Sequence, residues 1–247
     1  MKKKNKVIIV CLLLFCTYFG FKGFNLYYYN INNITTVNYR KIVEALNIKE
    51  TINIEHKKLP NNEYLEFKNI KIKNDFKEFK RSENQYSKDT IKYVLYDEKK
   101  KVKASFWMSE ADTYIELLKS DKTLFGTGDN KITNDNLKDI IDENNITNDI
   151  ELFNYLSKNK DVKNNIFTSV KQMKKNYSLQ FMVSVTIPVI ENITLIDGDY
   201  QGYIFNMDKI KEVNILKNNK RYVFTFLDKS YFTDEKINNL IETIVIN

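Results

Sequence analysis

The chain has 247 residues, 43% of them hydrophobic and 29% charged, with six Gly and two Pro. That composition excludes a collagen-like or wholly disordered polymer and supplies enough apolar residues for a sizeable core. The net charge of +7 raises nucleic acid as a partner, but the pattern of charges argues against it. Of the 39 basic residues only Arg40, Arg81 and Arg221 carry the planar fork that grips phosphates and base edges. The lysines are interleaved with acids, as in Asp97-Glu98-Lys99-Lys100-Lys101, and are matched by about as many Asn, a composition that AT-rich coding favours. No nucleic-acid partner is expected.

The N-terminus is the most informative stretch. Met1 to Lys6 carries four lysines and no acid, and Val7 to Phe21 then runs fifteen residues without a charge. This is the layout of a secretory signal or signal anchor. Fifteen helical residues span only about 22 Å, short of a hydrocarbon core of roughly 30 Å. The run can be extended past Lys22, which can snorkel, to Phe24, Tyr27, Tyr28 and Tyr29, where an interfacial aromatic belt would lie. Bulky residues follow the apolar run where signal peptidase needs small ones, so an uncleaved anchor is favoured over cleavage. The positions before Cys11 and Cys16 fit an acylation site poorly. The positive-inside rule puts the N-terminus in the cytoplasm and the chain from about Asn30 outside. The next most apolar stretch, Leu179 to Ile190, is too short to span and contains Pro188, so a single crossing is expected. Both cysteines fall inside the apolar run, leaving the exported part without a disulfide framework, a thiol nucleophile or a zinc-thiolate site.

Beyond the anchor, Thr35 or Thr36 can cap a helix through about Leu46, followed by a polar link through Pro60-Asn61-Asn62. Strands are expected over Tyr64 to Ile72, Thr90 to Tyr96 and Val102 to Met108, the last two forming a hairpin about the charged turn Asp97 to Lys101. A helix follows over about Asp112 to Lys119. In the middle, Thr133 can cap a helix over Asn134 to Glu143 and Thr147 another over Asn148 to Ser157, with a third over about Val162 to Lys174. The end is strand-rich: Ile193 to Ile196 meets Gln201 to Asn206 across Asp197-Gly198, and Lys211 to Leu216 meets Arg221 to Leu227 around Asn218-Asn219. Tyr222, Phe224 and Phe226 share one face, with Val223 and Leu227 on the other. Thr233 caps a closing helix, Asp234 to Val245, whose Ile237, Leu240, Ile241 and Ile244 should pack on the sheet.

The fold class expected is therefore α+β: an N-terminal transmembrane helix, then an extracytoplasmic domain of antiparallel sheets packed with helices, as one body or two lobes. The boundaries are a basic cytoplasmic tail at 1–6, the signal anchor with its aromatic end at 7–29, a helical stalk and linker at 30–62, and the domain at 63–247. Candidate lobes are 63–120 and 190–247, around a helical middle at 121–189.

Motifs that would carry chemistry are scarce. His56 has no nucleophile or orienting acid nearby and reads as an incidental surface histidine. Phe125-Gly126-Thr127-Gly128-Asp129 lacks the Gly-Lys-Ser/Thr of a phosphate loop and reads as a linker. Asp129 to Asp135 offers oxygen ligands, but Lys131 interrupts them and the glycine and closing glutamate of a calcium loop are missing. Glu110 with Asp112, and Asp139 with Asp142 and Glu143, are carboxylate pairs of the kind 32 acids generate by chance. Trp107, on the face opposite Phe106 and Met108, reads as packed under a helix or as part of a binding surface.

No catalytic, cofactor-binding or metal-binding residue is assigned, and no cofactor is expected. The sequence points to a single-pass membrane protein that meets lipid through residues 7–29. Its exported domain would be a non-enzymatic module binding a protein or envelope component. A carboxylate-dependent envelope hydrolase and a structural subunit of a membrane assembly are the alternatives. Residues 1–22 hold five lysines and no acid, so the remainder carries 34 basic against 32 acidic residues. The basic excess is chiefly a topology signal.

Overall fold

The computed structural model describes residues 3–29, 48–60, 63–82, 89–120, 130–159, 163–186 and 190–247, with the helical backbone alone at 3–13, 130–134 and 182–186. The expected helix after Thr35 or Thr36 and the Phe125 to Asp129 linker lie outside these residues.

Alternating apolar residues build one large sheet. Its strands are β1 (Ile48–Ile54), β4 (Lys80–Arg81), β5 (Thr90–Tyr96), β6 (Val102–Asp112), β7 (Ile190–Gly198), β8 (Gln201–Met207), β9 (Ile210–Lys217) and β10 (Lys220–Leu227). The spatial order is β1-β7-β8-β9-β10-β6-β5-β4. Every pairing is antiparallel except β1 with β7, so the sheet is mixed. A second sheet, ordered β11-β3-β2, joins β2 (Tyr64–Phe67), β3 (Ile70–Lys73) and β11 (Val245–Ile246). The helices are α1 (Lys3–Tyr28), α2 (Tyr114–Lys119), α3 (Asn130–Glu143), α4 (Asp149–Asn159), α5 (Val170–Thr186) and α6 (Asp234–Ile241).

Strands from the two stretches considered as lobes share the large sheet, because β10 pairs with β6 along its whole length, Phe226 opposite Phe106 and Phe224 opposite Met108. Two cores lie on its two faces. On one, Phe106, Met108, Val213, Ile215, Phe224 and Phe226 pack with Ile237, Leu240 and Ile241 of α6 and with Ile70, Ile72 and Ile246 of the small sheet. On the other, Ile193, Tyr203 and Phe205 pack with Leu137, Ile141, Phe153 and Leu156 of α3 and α4 and with Leu179 of α5. Strand alternation does this sorting: Tyr203 and Phe205 face the helices while Ile204 faces the opposite core.

Several expected elements form as read. The β5–β6 hairpin places Ile91, Tyr93 and Leu95 opposite Met108, Phe106 and Ala104. Asn218 and Asn219 both take positive φ, 52° and 58°, as the two-residue turn between β9 and β10 requires. Thr233 caps α6, its hydroxyl accepting from the Lys236 N–H.

Others differ, each for a local reason. Tyr64 to Ile72 is two strands, not one, because Lys68 turns the chain with φ 53°. Residues 48–54, within the expected stalk, are strand β1. α6 stops at Ile241, and Val245–Ile246 instead completes the small sheet against Ile70 and Lys71. Asp197 and Gly198 are not the β7–β8 turn. They pair with Asn53 and Ile54 of β1, and the turn falls at Asp199–Tyr200. Gly198 has φ +117°, and a Cβ there would collide with the Ile54 carbonyl oxygen. Asn148, not Thr147, supplies the first cap of α4: its Oδ1 accepts from the Glu151 N–H at 2.9 Å while Glu151 accepts from the Thr147 N–H at 2.7 Å. The third middle helix begins at Val170, eight residues later than expected. Asn165 and Thr168 hold residues 165–168 in a side-chain-bonded turn, and Ser169 Oγ then accepts from the Gln172 N–H at 3.1 Å.

Candidate functional site

Because α6 packs across the large sheet while the chain from β3 passes beside it, an open groove of about 560 Å³ remains between them, within the usual range of ligand pockets. Its apolar floor is Phe76, Tyr231, Phe232 and Leu240, and its rim is Glu63, Lys73, Asp75, Lys77, Glu78 and Lys236. The floor is the outer edge of an aromatic stack. Phe76 lies on Phe106 with centroids 4.3 Å apart and planes within 8°, and Tyr231 meets Phe232 at 5.0 Å. Lysine ammonium groups lie over the Tyr231 ring, Lys236 at 4.1 Å and Lys103 at 6.0 Å, an arrangement cation–π attraction favours. Burial, with the charges of Glu78 and Asp75, holds the Tyr231 phenol above its ordinary pKa, so it remains a hydrogen-bond donor. Lys73 pairs with Asp75 at 3.1 Å. The groove thus offers an aromatic floor under a rim of both charges.

A second cavity of about 380 Å³ opens between β1, β7, β8 and α6, with Lys49, Glu50, Glu191, Lys211, Lys229 and Asp234 among its lining. Its charges are largely spent on one another: Lys211 pairs with Asp234, and Lys229 with Glu191 at 3.4 Å. Burial and the neighbouring Lys229 lower the Lys211 pKa.

On the helix-covered face, Asp149 is fully buried at the start of α4. Its carboxylate accepts from the Tyr114 and Ile115 N–H groups and the Tyr203 hydroxyl, each at 3.1 Å. Arg221 stacks on the Tyr114 ring at 4.2 Å. Burial raises the Asp149 pKa against the pull of those hydrogen bonds and the Arg221 charge. Sealed from solvent and saturated with donors, this group caps α2 and ties two helices to β8.

The residues singled out in sequence are not brought together. His56 is half-buried, its backbone N–H donating to Asp199 Oδ2 at 2.7 Å and its ring meeting Tyr200 edge-on at 6.5 Å. Asp112 is paired with Lys220 at 2.6 Å. Glu143 is bonded to Lys175 and Lys171, tying α3 to α5. Trp107 lies half-buried under the Lys92 ammonium, 4.8 Å from its centroid. Among the described residues no group of three or more His, Cys, Asp and Glu is placed to hold a metal ion. Asp129 of the oxygen-rich stretch lies outside them. Sequence reasoning missed the groove, whose floor joins residues near 76 to residues near 231. The clustered aromatics of Tyr231-Phe232 before the Thr233 cap were its available signal.

The chain also carries an exposed apolar helix. On α1, Leu14, Phe15, Tyr18, Phe21, Phe24, Tyr27 and Tyr28 are all exposed. Its C-terminal end is clasped by the domain. Lys22 is 6% exposed and its ammonium donates to the Thr168 carbonyl at 2.5 Å, while Asn164 Nδ2 donates to the Tyr29 carbonyl at 3.3 Å. The Tyr29 and Tyr177 rings meet at 5.8 Å, so α5 runs beside the end of α1 in the same direction. Among the described residues no helix is long and apolar enough to cross a membrane. Side chains of the most apolar part of the run, Val7 to Leu13, lie outside that description.

Compared with protein-family models and with curated proteins, the chain matches none.

Proposed function

We propose that this chain is a single-pass membrane protein whose extracytoplasmic α+β domain is a non-enzymatic binding module at the cell envelope. The row of seven exposed apolar side chains on α1 carries this reading, since a folded domain with two sealed cores leaves them uncovered. At 1.5 Å per residue the part of α1 from Val7 to Tyr28, which includes Lys22, rises about 33 Å, comparable to a hydrocarbon core of roughly 30 Å. Lys3, Lys4 and Lys6 at one end and the aromatic belt at the other fit an N-in, C-out orientation. The groove between α6 and the β3 segment is the module's recognition surface. An aromatic floor under opposed charges suits an amphipathic protein segment, which can insert an apolar side chain and pair charges on both sides.

Carbonate extraction and protease treatment test the anchor: the full chain should stay in the membrane pellet while external protease removes the domain. Release by carbonate would refute it. For the groove, a double variant Tyr231→Ala/Lys236→Glu should lose the companions cross-linked to the wild-type chain in membranes, whereas Lys158→Glu on α4, across the large sheet from the groove, should keep them. A second reading, hydrolysis by carboxylates, draws on Glu63, Asp75 and Glu78 sharing that groove. Turnover of envelope glycans that Glu63→Gln or Glu78→Gln abolishes would favour it.

A further inference from the structure

The turn between α4 and α5 presents Phe167 88% exposed, the most exposed large apolar side chain of the described residues. The turn beneath it is firmly built. Asn165 Oδ1 accepts from the Phe167 N–H at 2.9 Å and the Thr168 N–H at 3.1 Å, and the Asn165 N–H donates to Thr168 Oγ1 at 2.9 Å. Below it, Asn176 donates to Asn164 at 2.8 Å and Gln172 to Asn176 at 2.7 Å. A rigid turn that holds a phenylalanine in water bears a hydrophobic cost with no return inside the domain.

Position along α1 says what covers it. Lys22, the first charge after the apolar run, is bonded to the residue next to Phe167, and Tyr29, about 10 Å further along the helix axis, is bonded to Asn164. The tip of the turn is therefore level with the end of the apolar run and its base is further from it. Exposed Lys163 stands on the same turn.

We infer that the turn at residues 163–169 is a second membrane contact, with Phe167 inserted in the outer leaflet beside α1 and Lys163 near anionic headgroups. The inference rests on the anchor reading above. One helix leaves a domain free to tilt, and an aromatic wedge set beside the helix exit fixes its attitude on the bilayer.

The test uses the full chain reconstituted in vesicles of phosphatidylethanolamine and phosphatidylglycerol, in a Trp107→Phe background that leaves the added tryptophan as the single reporter. Phe167→Trp should show blue-shifted emission, loss of intensity with lipids spin-labelled at a shallow acyl position, and little quenching by aqueous iodide. Leu14→Trp reports on the anchor independently. If position 14 is lipid-quenched while position 167 emits as in water and is quenched by iodide, the second contact is refuted and the anchor stands. If neither is lipid-quenched, both fall. A circular-dichroism spectrum matching wild type confirms that each variant is folded.

Discussion

Tyr203, in the middle of β8, donates its hydroxyl to Oδ2 of Asp149 in the first turn of α4, a 3.1 Å contact between two side chains with no solvent access. Asp149 also accepts the first two N–H groups of α2, so one carboxyl group locks two helices to the sheet. Asp149→Ala would leave three buried donors without a partner and should lower stability by about 3 kcal/mol, with Tyr203→Phe costing about 1 kcal/mol. Urea unfolding of the chain measures both, and equal small losses would show that the contact carries no stability.

The same carboxyl predicts a pH dependence. Burial raises its folded pKa above the ordinary 3.8, so between those two values the folded state holds more proton than the unfolded one. This group's contribution to stability is therefore fullest at low pH and falls as pH rises through that window. Relative to Asp149→Asn, which does not titrate, the wild type should lose stability on going from about pH 4 upward. Parallel profiles for the two proteins would remove burial as the dominant influence on this residue.

Phe106 is fully buried and stacked on Phe76 at 4.3 Å and Phe226 at 5.1 Å. Phe106→Ala empties the middle of the aromatic core and should cost about 3–5 kcal/mol. It should also distort the groove floor, because Phe76 loses the ring it lies on. Thermal unfolding reports the first effect and cross-linking of the companion proposed for the groove the second.

Gly198→Ala brings a Cβ against the Ile54 carbonyl oxygen at a backbone φ of +117°. A loss of about 1–3 kcal/mol is expected, with faster amide exchange confined to the ends of β1 and β7. Exchange that rises evenly across the sheet would show that the close approach is not local.

What was legible in the sequence was what neighbouring residues decide. Asn218-Asn219 tolerates left-handed backbone, so the β9–β10 hairpin could be read directly, and Thr233 before an amphipathic stretch announced α6. Strands made by distant pairing were not legible. β4 and β11 have two residues each, and β1 carries polar Lys49, Glu50 and Asn53 because it lies at a sheet edge. Gly198 resembled a turn glycine because close approach by another strand and a tight turn both call for the same residue. Asp149 looked like any first-turn acid, since its burial depends on Tyr203, 54 positions away. The groove was hidden for the same reason: neither Phe76 nor Tyr231 signals that the fold will set them side by side.

The clasp between Lys22 and Thr168 spans 146 positions, and so it bears on how the protein is made. A ribosome delivers Lys22 long before Thr168. During that interval the α1 lysine has no partner, and the nascent helix is not yet fixed against the rest of the chain. Once the Thr168 carbonyl takes the ammonium, the end of α1 is stapled to the folded body of the protein. Folding of the distant turn is thus what fixes the helix end, and a chain cut short before Thr168 would leave α1 unclasped.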